Sequence, residues 1–168
     1  MAGVAGPSVG PPAGPPGVLP VFAGRRYRLA MARMAKPEDI DAICGALPQV
    51  EFGFSWGDRP TYKVPRGPKG RGFVLYRAPH KTAVDPDTGH LYEDLLVIVV
   101  PDANAKAALV EDPSVPFFTI PHFNGYNAVL VQESRLGEMH REQLEEILIE
   151  AWAARAPKRL VAEFFARR

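Results

Sequence analysis

The stretch LLVIVV at residues 95–100 decides the fold class of this chain. A continuous apolar run of this length is typical of a central strand that is covered on both faces. Shorter β-like runs precede it at 52–56, 61–64 and 71–77, and helical patterns lie on either side. The sequence therefore predicts an α+β domain, a single compact unit with an antiparallel sheet and with helices at its N- and C-terminal ends.

The predicted helices have recognisable boundaries. Pro37 suits a first helical position, and apolar residues follow it at helical spacing until Pro48 ends the pattern. Asp102 is a good cap for a second helix that runs through Val110. A long amphipathic pattern covers 138–156, and Pro157 then precedes a last short helix.

Two hairpins are predicted within the sheet. The runs 61–64 and 71–77 are joined by the glycine-rich loop PRGPKG. The runs 117–123 and 126–132 flank Asn124 and Gly125, a dipeptide that tolerates the positive φ values of a type I′ turn. Because alternate residues of a strand share a face, Arg71, Phe73, Leu75 and Arg77 are expected to point the same way.

Composition excludes several classes of protein. The 168 residues are 46% hydrophobic and 23% charged, which is ordinary for a soluble globular domain. No apolar run approaches the roughly 18 residues of a transmembrane helix. The formal net charge of +1 gives no general argument for a polyanionic partner. The single cysteine, Cys44, excludes an internal disulfide framework and a multi-cysteine zinc site.

The first residues differ from the rest of the chain. Residues 1–20 contain six prolines and five glycines and no charged side chain. We therefore predict a disordered Pro/Gly-rich tail at 1–32 and a folded domain at 33–168. Three arginines of the tail account for its charge, so the domain keeps 17 basic and 19 acidic residues. The tail lacks the basic start and apolar run of a secretory signal, and a cytoplasmic protein is expected.

The segment 59–81 is strongly cationic. It holds seven basic side chains and no aspartate or glutamate: Arg59, Lys63, Arg66, Lys69, Arg71, Arg77 and Lys81. A protruding hairpin with such a tip is suited to contacts with a phosphate backbone. The alternative is a solvated sheet edge that its lysines and arginines keep soluble.

A second basic group lies near the C-terminus. It comprises Arg155, Lys158, Arg159, Arg167 and Arg168. Cations at this end of a helix offset the negative pole of the helix dipole, and we attribute this group to that effect.

Catalytic and metal-binding patterns are absent from the sequence. The four histidines show no i, i+4 pair and have no partner cysteines. No GxSxG, phosphate-loop or dinucleotide glycine pattern occurs either. We therefore predict neither an enzyme nor a cofactor or metal site.

Aromatic residues offer an alternative binding site. The segment PHFNGY at 121–126 is rich in polar and aromatic groups. A pocket between the sheet and the C-terminal helix is expected to be lined by Trp56, Phe117, His122, Asn124 and Tyr126. Otherwise Asn124 and Gly125 form the turn, and the neighbouring aromatic rings stabilise the sheet by pairing across it.

Several blocks of the sequence resemble the MmcQ/YjbR family of small bacterial proteins. The matching blocks are ALPQVEF at 46–52, SWGDRPTYKV at 55–64, RGFVLY at 71–76, FFTIPHFNGYNAVLV at 117–131 and AWAARAPKRLVAEFF at 151–165. The resemblance implies a compact α+β domain of the double-wing or CyaY-like kind, in which the hairpins are the wings. It also implies DNA binding, which is how members of the family are usually described.

The leading hypothesis from the sequence is thus a non-enzymatic DNA-binding protein with a regulatory role. Weak binding of double-stranded DNA is expected through phosphate contacts from the basic hairpin. The candidate residues are Lys63, Arg66, Lys69 and Arg71, with Arg77 and Lys81 at the flank. The alternative is a module that binds a small molecule or a protein in the aromatic pocket.

Overall fold

A computed structural model of the protein describes residues 32–168, which form one α+β unit. Residues 1–31, and with them nearly all of the predicted tail, lie outside the described residues. The helices are α1 (Glu38–Ala46), α2 (Ala103–Glu111), α3 (Arg141–Arg155) and α4 (Lys158–Ala166). The strands are β1 (Glu51–Ser55), β2 (Arg59–Val64), β3 (Arg71–Arg77), β4 (Leu95–Val99) and β5 (Ala128–Gln132). Short 3₁₀ turns occur at Pro121–Phe123 and Glu133–Glu138.

The five strands form one sheet in the order β1-β2-β3-β4-β5. Every neighbouring pair is antiparallel. All five residues of β4 are buried, which confirms the prediction of a strand covered on both faces. The hairpin between β2 and β3 is also confirmed, with the predicted loop at its tip.

One face of the sheet packs against the helices. The stripe of α1 is buried as predicted, and Ile40, Ile43 and Cys44 join the same core as residues of α3. At the centre of this layer lies Trp152, whose Nε1 donates a hydrogen bond of 3.0 Å to the Pro48 carbonyl. Asp102 caps α2 as predicted, since its side chain accepts from the amide of Ala105.

Loops rather than helices cover the opposite face. Leu95, Val97 and Leu130 pack there against Ala83 from the long loop after β3 and against Phe123. Within the described part of the chain, no residue of α1, α3 or α4 belongs to this second cluster. This face is therefore covered by loops and not by these three helices. A cavity lies beside the cluster.

The predicted type I′ hairpin at Asn124 and Gly125 is wrong. Asn124 has a φ of −58°, and Gly125 has no positive φ. Pro121 instead starts a 3₁₀ turn, and the two flanking segments meet only at a bridge between Phe118 and Leu130. The Lys106 ammonium donates to the carbonyls of Phe123 and Tyr126, at 2.6 and 3.0 Å, and so stabilises this folded-back path.

A β-bulge corrects the predicted faces of β3. Tyr62 lies opposite Val74 and Lys63 lies opposite Gly72, which leaves Phe73 without a partner on β2. Phe73 therefore packs into the helix-side core with Val74, whereas Leu75 packs with the loop-side cluster. The sequence predicts that side chains of β3 alternate between the two faces of the sheet. This alternation holds only for the residues that follow the bulge.

A buried carboxylate secures the start of the described chain. Asp39 accepts hydrogen bonds of 2.8 Å from the Arg33 guanidinium and from the Lys36 amide. Its Oδ1 also lies 3.3 Å from Nε of Arg141 on α3. The hydrogen bond from Arg33 is the main reason why the pKa of Asp39 is lowered to about 2.

This arrangement predicts an acid-sensitive contribution to stability. A lowered folded-state pKa means that ionised Asp39 stabilises the fold above its unfolded pKa of about 3.9, and that this stability is lost as pH falls through about 2. Because Arg33 is half exposed, we expect Asp39→Asn to reduce the free energy of unfolding at pH 7 by about 1–2 kcal/mol.

Urea unfolding of wild type and Asp39→Asn between pH 7 and pH 2 measures this difference. It should shrink toward zero at the acid end, whereas the exposed control Glu150→Gln should stay close to wild type throughout. A difference in the free energy of unfolding that does not change with pH would contradict a stabilising role of ionised Asp39.

Candidate functional site: an arginine pocket

A cavity of about 290 Å³ opens beside the loop-side cluster. Four arginines line it, Arg59, Arg71, Arg77 and Arg155, and no aspartate or glutamate is among the described residues of its lining. Trp56, Phe123 and Tyr126 contribute aromatic rings. We call this cavity the arginine pocket. Its volume is at the lower end of the range for small-molecule sites.

The arginines come from three separate elements. Arg59 begins β2, and Arg71 and Arg77 are the first and last residues of β3. Arg155 is the last residue of α3 and reaches the pocket from the helix layer. The pocket therefore depends on the docking of α3 against the sheet as well as on the β2–β3 hairpin.

Arg77 is the most deeply buried of these cations. Only 7% of its surface is exposed. Its Nη2 donates to Thr82 Oγ1 at 2.7 Å, and its guanidinium lies over the Phe123 ring, 5.3 Å from the centroid. Its Nη1 is buried and has no hydrogen-bond partner in the described part of the chain. Burial first, and repulsion by Arg59 second, lower the pKa of Arg77.

Arg155 shows the same deficit of partners. Its Nε is buried and is not hydrogen-bonded by any residue that the structure describes. Burial lowers the pKa of its guanidinium, and repulsion by Arg71 adds to that effect. Because an arginine keeps its proton, the four guanidinium groups make the lining of the pocket strongly cationic. An anion that accepts hydrogen bonds would neutralise part of this charge.

Two of the three aromatic side chains that line the pocket are exposed. Trp56 is 76% exposed, and Tyr126 is 59% exposed. Trp56 has a φ of 46°, in the left-handed region that large side chains rarely adopt, and it begins the tight turn between Ser55 and Arg59. A large apolar side chain held in strained backbone in the lining of a pocket suggests a role in binding.

Gly72 forms part of the pocket wall because no side chain fits there. A Cβ at this position would lie 2.9 Å from Cγ2 of Thr61 and 3.1 Å from Cδ1 of Leu75. The glycine thus lets the bulged start of β3 pack closely against Thr61 of β2.

The structure distributes the residues predicted to bind DNA over two surfaces. Arg71 and Arg77 line the arginine pocket. Lys63 lies 3.7 Å from Glu51 in an ion pair, and Arg66 Nε donates to the Val50 carbonyl at 3.0 Å. Lys69 and Lys81 are exposed. Arg66 and Lys69 thus lie in the loop at the tip of the hairpin, and Arg71 and Arg77 lie in the pocket.

The structure brings together only some of the residues of the predicted aromatic pocket. Trp56 and Tyr126 line the observed cavity. Phe117, however, is buried in the helix-side core, and His122 and Asn124 are exposed residues outside the lining. No residue of the C-terminal helix α4 is among the described residues that line the cavity.

Sequence reasoning missed two of the four pocket arginines as site residues. Arg59 was counted in the cationic segment, but nothing in the sequence distinguished it from its neighbours. Arg155 was attributed to the helix dipole. The cation-rich segment 59–81 was the sequence signal that pointed to this site. No sequence pattern indicated that a residue of α3 would contribute to it.

Taken together, the fold and the pocket define a small α+β domain with a cationic, aromatic-rimmed cavity on one face of its sheet. A model described as YjbR matches residues 45–154, and the chain belongs to the YjbR family, as its sequence blocks indicated. Uncharacterized protein Mb2600 of Mycobacterium bovis and uncharacterized protein Rv2570 of Mycobacterium tuberculosis are each 36% identical to it over 143 residues. These matches cover 79% of this chain and 98% of each relative.

One solved structure shows a looser likeness. The crystal structure of Deinococcus radiodurans protein DR2400, a DUF419 domain, matches with a TM-score of 0.46 and 22% identity. The match covers 71% of this chain and 77% of that one. A likeness of this degree supports no argument about the site.

Two further searches concern the described residues alone. Between residues 32 and 168, none of the helices is both long enough and apolar enough to cross a bilayer. In the same range, no three or more histidine, cysteine, aspartate or glutamate side chains are grouped so that they could hold a metal ion.

Proposed function

We propose that this chain is a cytoplasmic binding protein rather than an enzyme, and that its ligand is an anion held in the arginine pocket. The observation that carries the proposal is the convergence of Arg59, Arg71, Arg77 and Arg155 on one cavity, which has no aspartate or glutamate among its described lining residues. Bidentate guanidinium groups match phosphate oxygens particularly well, so phosphate is the favoured anionic group.

Inorganic phosphate is the simplest probe of this pocket. We expect it to raise the unfolding temperature of the whole chain, because a ligand at 100 times its Kd stabilises a folded protein by about 2.7 kcal/mol. Chloride at equal ionic strength should have a much smaller effect.

Two matched variants locate the binding. Arg155→Gln removes a pocket cation and should abolish most of the phosphate-dependent shift. Lys69→Gln removes an exposed cation of the β2–β3 hairpin that lies outside the pocket, and this variant should keep the phosphate-dependent shift. Equal shifts in wild type and both variants, or no shift in any of them, would refute the proposal.

Weak binding of double-stranded DNA is a second candidate function. The observation that favours it is the seven-cation segment 59–81, of which Arg66, Lys69 and Lys81 are exposed outside the pocket. Cations on such a surface would contact phosphates without reading bases, as expected for a weak regulatory contact.

Fluorescence anisotropy with a short random duplex tests this second candidate. Each neutralised phosphate contributes about −0.9 to the slope of log affinity against log salt. We expect the slope to become less steep by about 2–3 units in the triple variant Arg66→Glu, Lys69→Glu, Lys81→Glu. Arg155→Gln should leave it nearly unchanged. If the wild type does not bind duplex at low salt, this candidate fails and the pocket proposal is unaffected.

A further inference from the structure

The arginine pocket is larger than a phosphate ion requires. Its volume of about 290 Å³ is that of about ten water molecules in the liquid, at roughly 30 Å³ each. One phosphate ion fills only part of this space. A ligand that fills the whole pocket must therefore carry a further group beside its anion.

Two arginines on neighbouring strands lie side by side in the pocket. Thr61 of β2 is paired with Leu75 of β3 in an antiparallel register. Arg59 lies two residues before Thr61, and Arg77 lies two residues after Leu75. The same register therefore places Arg59 and Arg77 opposite each other on one face of the sheet, and both line the pocket. Two adjacent guanidinium groups suit the oxygens of one phosphate group.

An apolar surface lies next to these two arginines. Leu75 shares their face of the sheet and is paired with Val97 of β4, and both side chains line the pocket. Trp56 also lines it and directly follows Ser55, the strand partner of Arg59. Aromatic rings stack on one another, and arginine stacks on aromatic faces as well. The space beside the two arginines is thus suited to a flat aromatic ring.

We infer that the ligand of the arginine pocket is an aromatic phosphate monoester, in which one phosphate group is bonded to a flat ring. The inference rests on the proposed function and specifies its ligand. The phosphate group accepts hydrogen bonds from Arg59 and Arg77, while the ring lies over Leu75 and Val97 and stacks against Trp56. A free aryl phosphate and the side chain of a phosphotyrosine present this same chemistry.

Calorimetry of the whole chain with four probes tests the inference. The probes are phenyl phosphate, methyl phosphate, cyclohexyl phosphate and phenol. Phenyl phosphate should bind at least about tenfold more tightly than methyl phosphate, because only the former buries an apolar group. It should also bind about threefold more tightly than cyclohexyl phosphate, whose ring is of similar size but cannot stack. Phenol, which lacks the anion, should bind most weakly.

Three variants assign the ring and the phosphate group to their contacts. Each is judged by the ratio of its affinities for phenyl and methyl phosphate, so that a general loss of phosphate binding cancels. Trp56→Ala should reduce this ratio to about threefold or less. Arg59→Gln should weaken both esters by at least about tenfold and leave their ratio nearly unchanged. Phe54→Ala, at an exposed ring outside the described lining of the pocket, should keep the ratio of wild type.

The outcomes separate this inference from the proposed function. If methyl phosphate binds and phenyl phosphate binds no more tightly, the inference is overturned and the anion pocket stands. Equal affinities for phenyl and cyclohexyl phosphate, or a ratio that Trp56→Ala does not change, also overturn the inference alone. If phenol binds as tightly as phenyl phosphate, or if no probe binds, both fail.

A blocked tripeptide with phosphotyrosine between two alanines distinguishes the two sources of ligand. Tighter binding of this peptide than of phenyl phosphate supports the inference with a phosphorylated protein as the source. Weaker binding of the peptide supports it with a free ester, because the peptide backbone is then excluded from the pocket.

Discussion

Replacing Trp152 with alanine should lower the free energy of unfolding by about 3–5 kcal/mol. The indole is fully buried on α3, and its ring lies 4.9 Å from that of Phe164 on α4. Its removal would leave a cavity where the helix layer meets the sheet. It would also remove the hydrogen bond to the Pro48 carbonyl just beyond α1. Since small domains are stable by only about 5–15 kcal/mol, this variant should be close to unfolding.

Urea denaturation followed by far-ultraviolet circular dichroism measures the effect. The same substitution at the exposed Trp56 is the matched control and should change stability by no more than about 0.5 kcal/mol. A loss below about 1 kcal/mol for Trp152→Ala would mean that the helix layer does not depend on this contact. The variant should also weaken phosphate binding where it remains folded, because Arg155 lies three residues further along α3.

The sequence predicted those parts of the fold that a single period or cap defines. The apolar run of β4 and the stripe of α1 are buried because each reflects one uninterrupted pattern of side chains. Asp102 caps α2 for a reason that is local to four residues. In each case, nothing elsewhere in the chain had to be known.

Other features could not be predicted because distant residues decide them. The bulge at Phe73 depends on how β2 and β3 pair, and it reverses the face that alternation assigns to that ring. The path at Asn124 depends on Pro121 and on the Lys106 ammonium, which binds two carbonyls of this segment from α2. A dipeptide rule for hairpins contains neither contact.

The candidate site was half visible in the sequence. A count of charges located Arg71 and Arg77, and aromatic content located Trp56 and Tyr126, but these were assigned to two competing sites. The structure brings them into one cavity because the β1–β2 turn and the segment after Phe123 both border the cavity, next to the end of β4 at Val99 and the start of β5 at Ala128. Arg155 joins them only through the packing of α3, which no local pattern specifies.

Arg77→Met should weaken phosphate binding about a hundredfold and at the same time stabilise the anion-free protein. The loss of affinity follows because Arg77 lines the pocket and a charge-assisted hydrogen bond from its guanidinium contributes about 1.5–3 kcal/mol. The gain in stability follows because a buried, incompletely partnered charge is often less favourable than an apolar side chain of similar volume. The contacts of Arg77 with Thr82 and Phe123 offset part of this, so we expect a gain of about 1 kcal/mol.

A decrease in phosphate affinity together with an increase in the free energy of unfolding is the decisive result. If Arg77 were purely structural, its substitution would lower the stability of the protein. Weaker phosphate binding would then merely follow from unfolding. Arg77→Lys separates charge from geometry, since it keeps the cation but loses the planar fork, and its affinity should fall between those of Arg77→Met and wild type. Calorimetry with phosphate and urea unfolding in phosphate-free buffer provide both values for each variant. If Arg77→Met is less stable than wild type, the contacts of Arg77 with Thr82 and Phe123 outweigh the cost of burying its charge, and the predicted gain in stability is refuted.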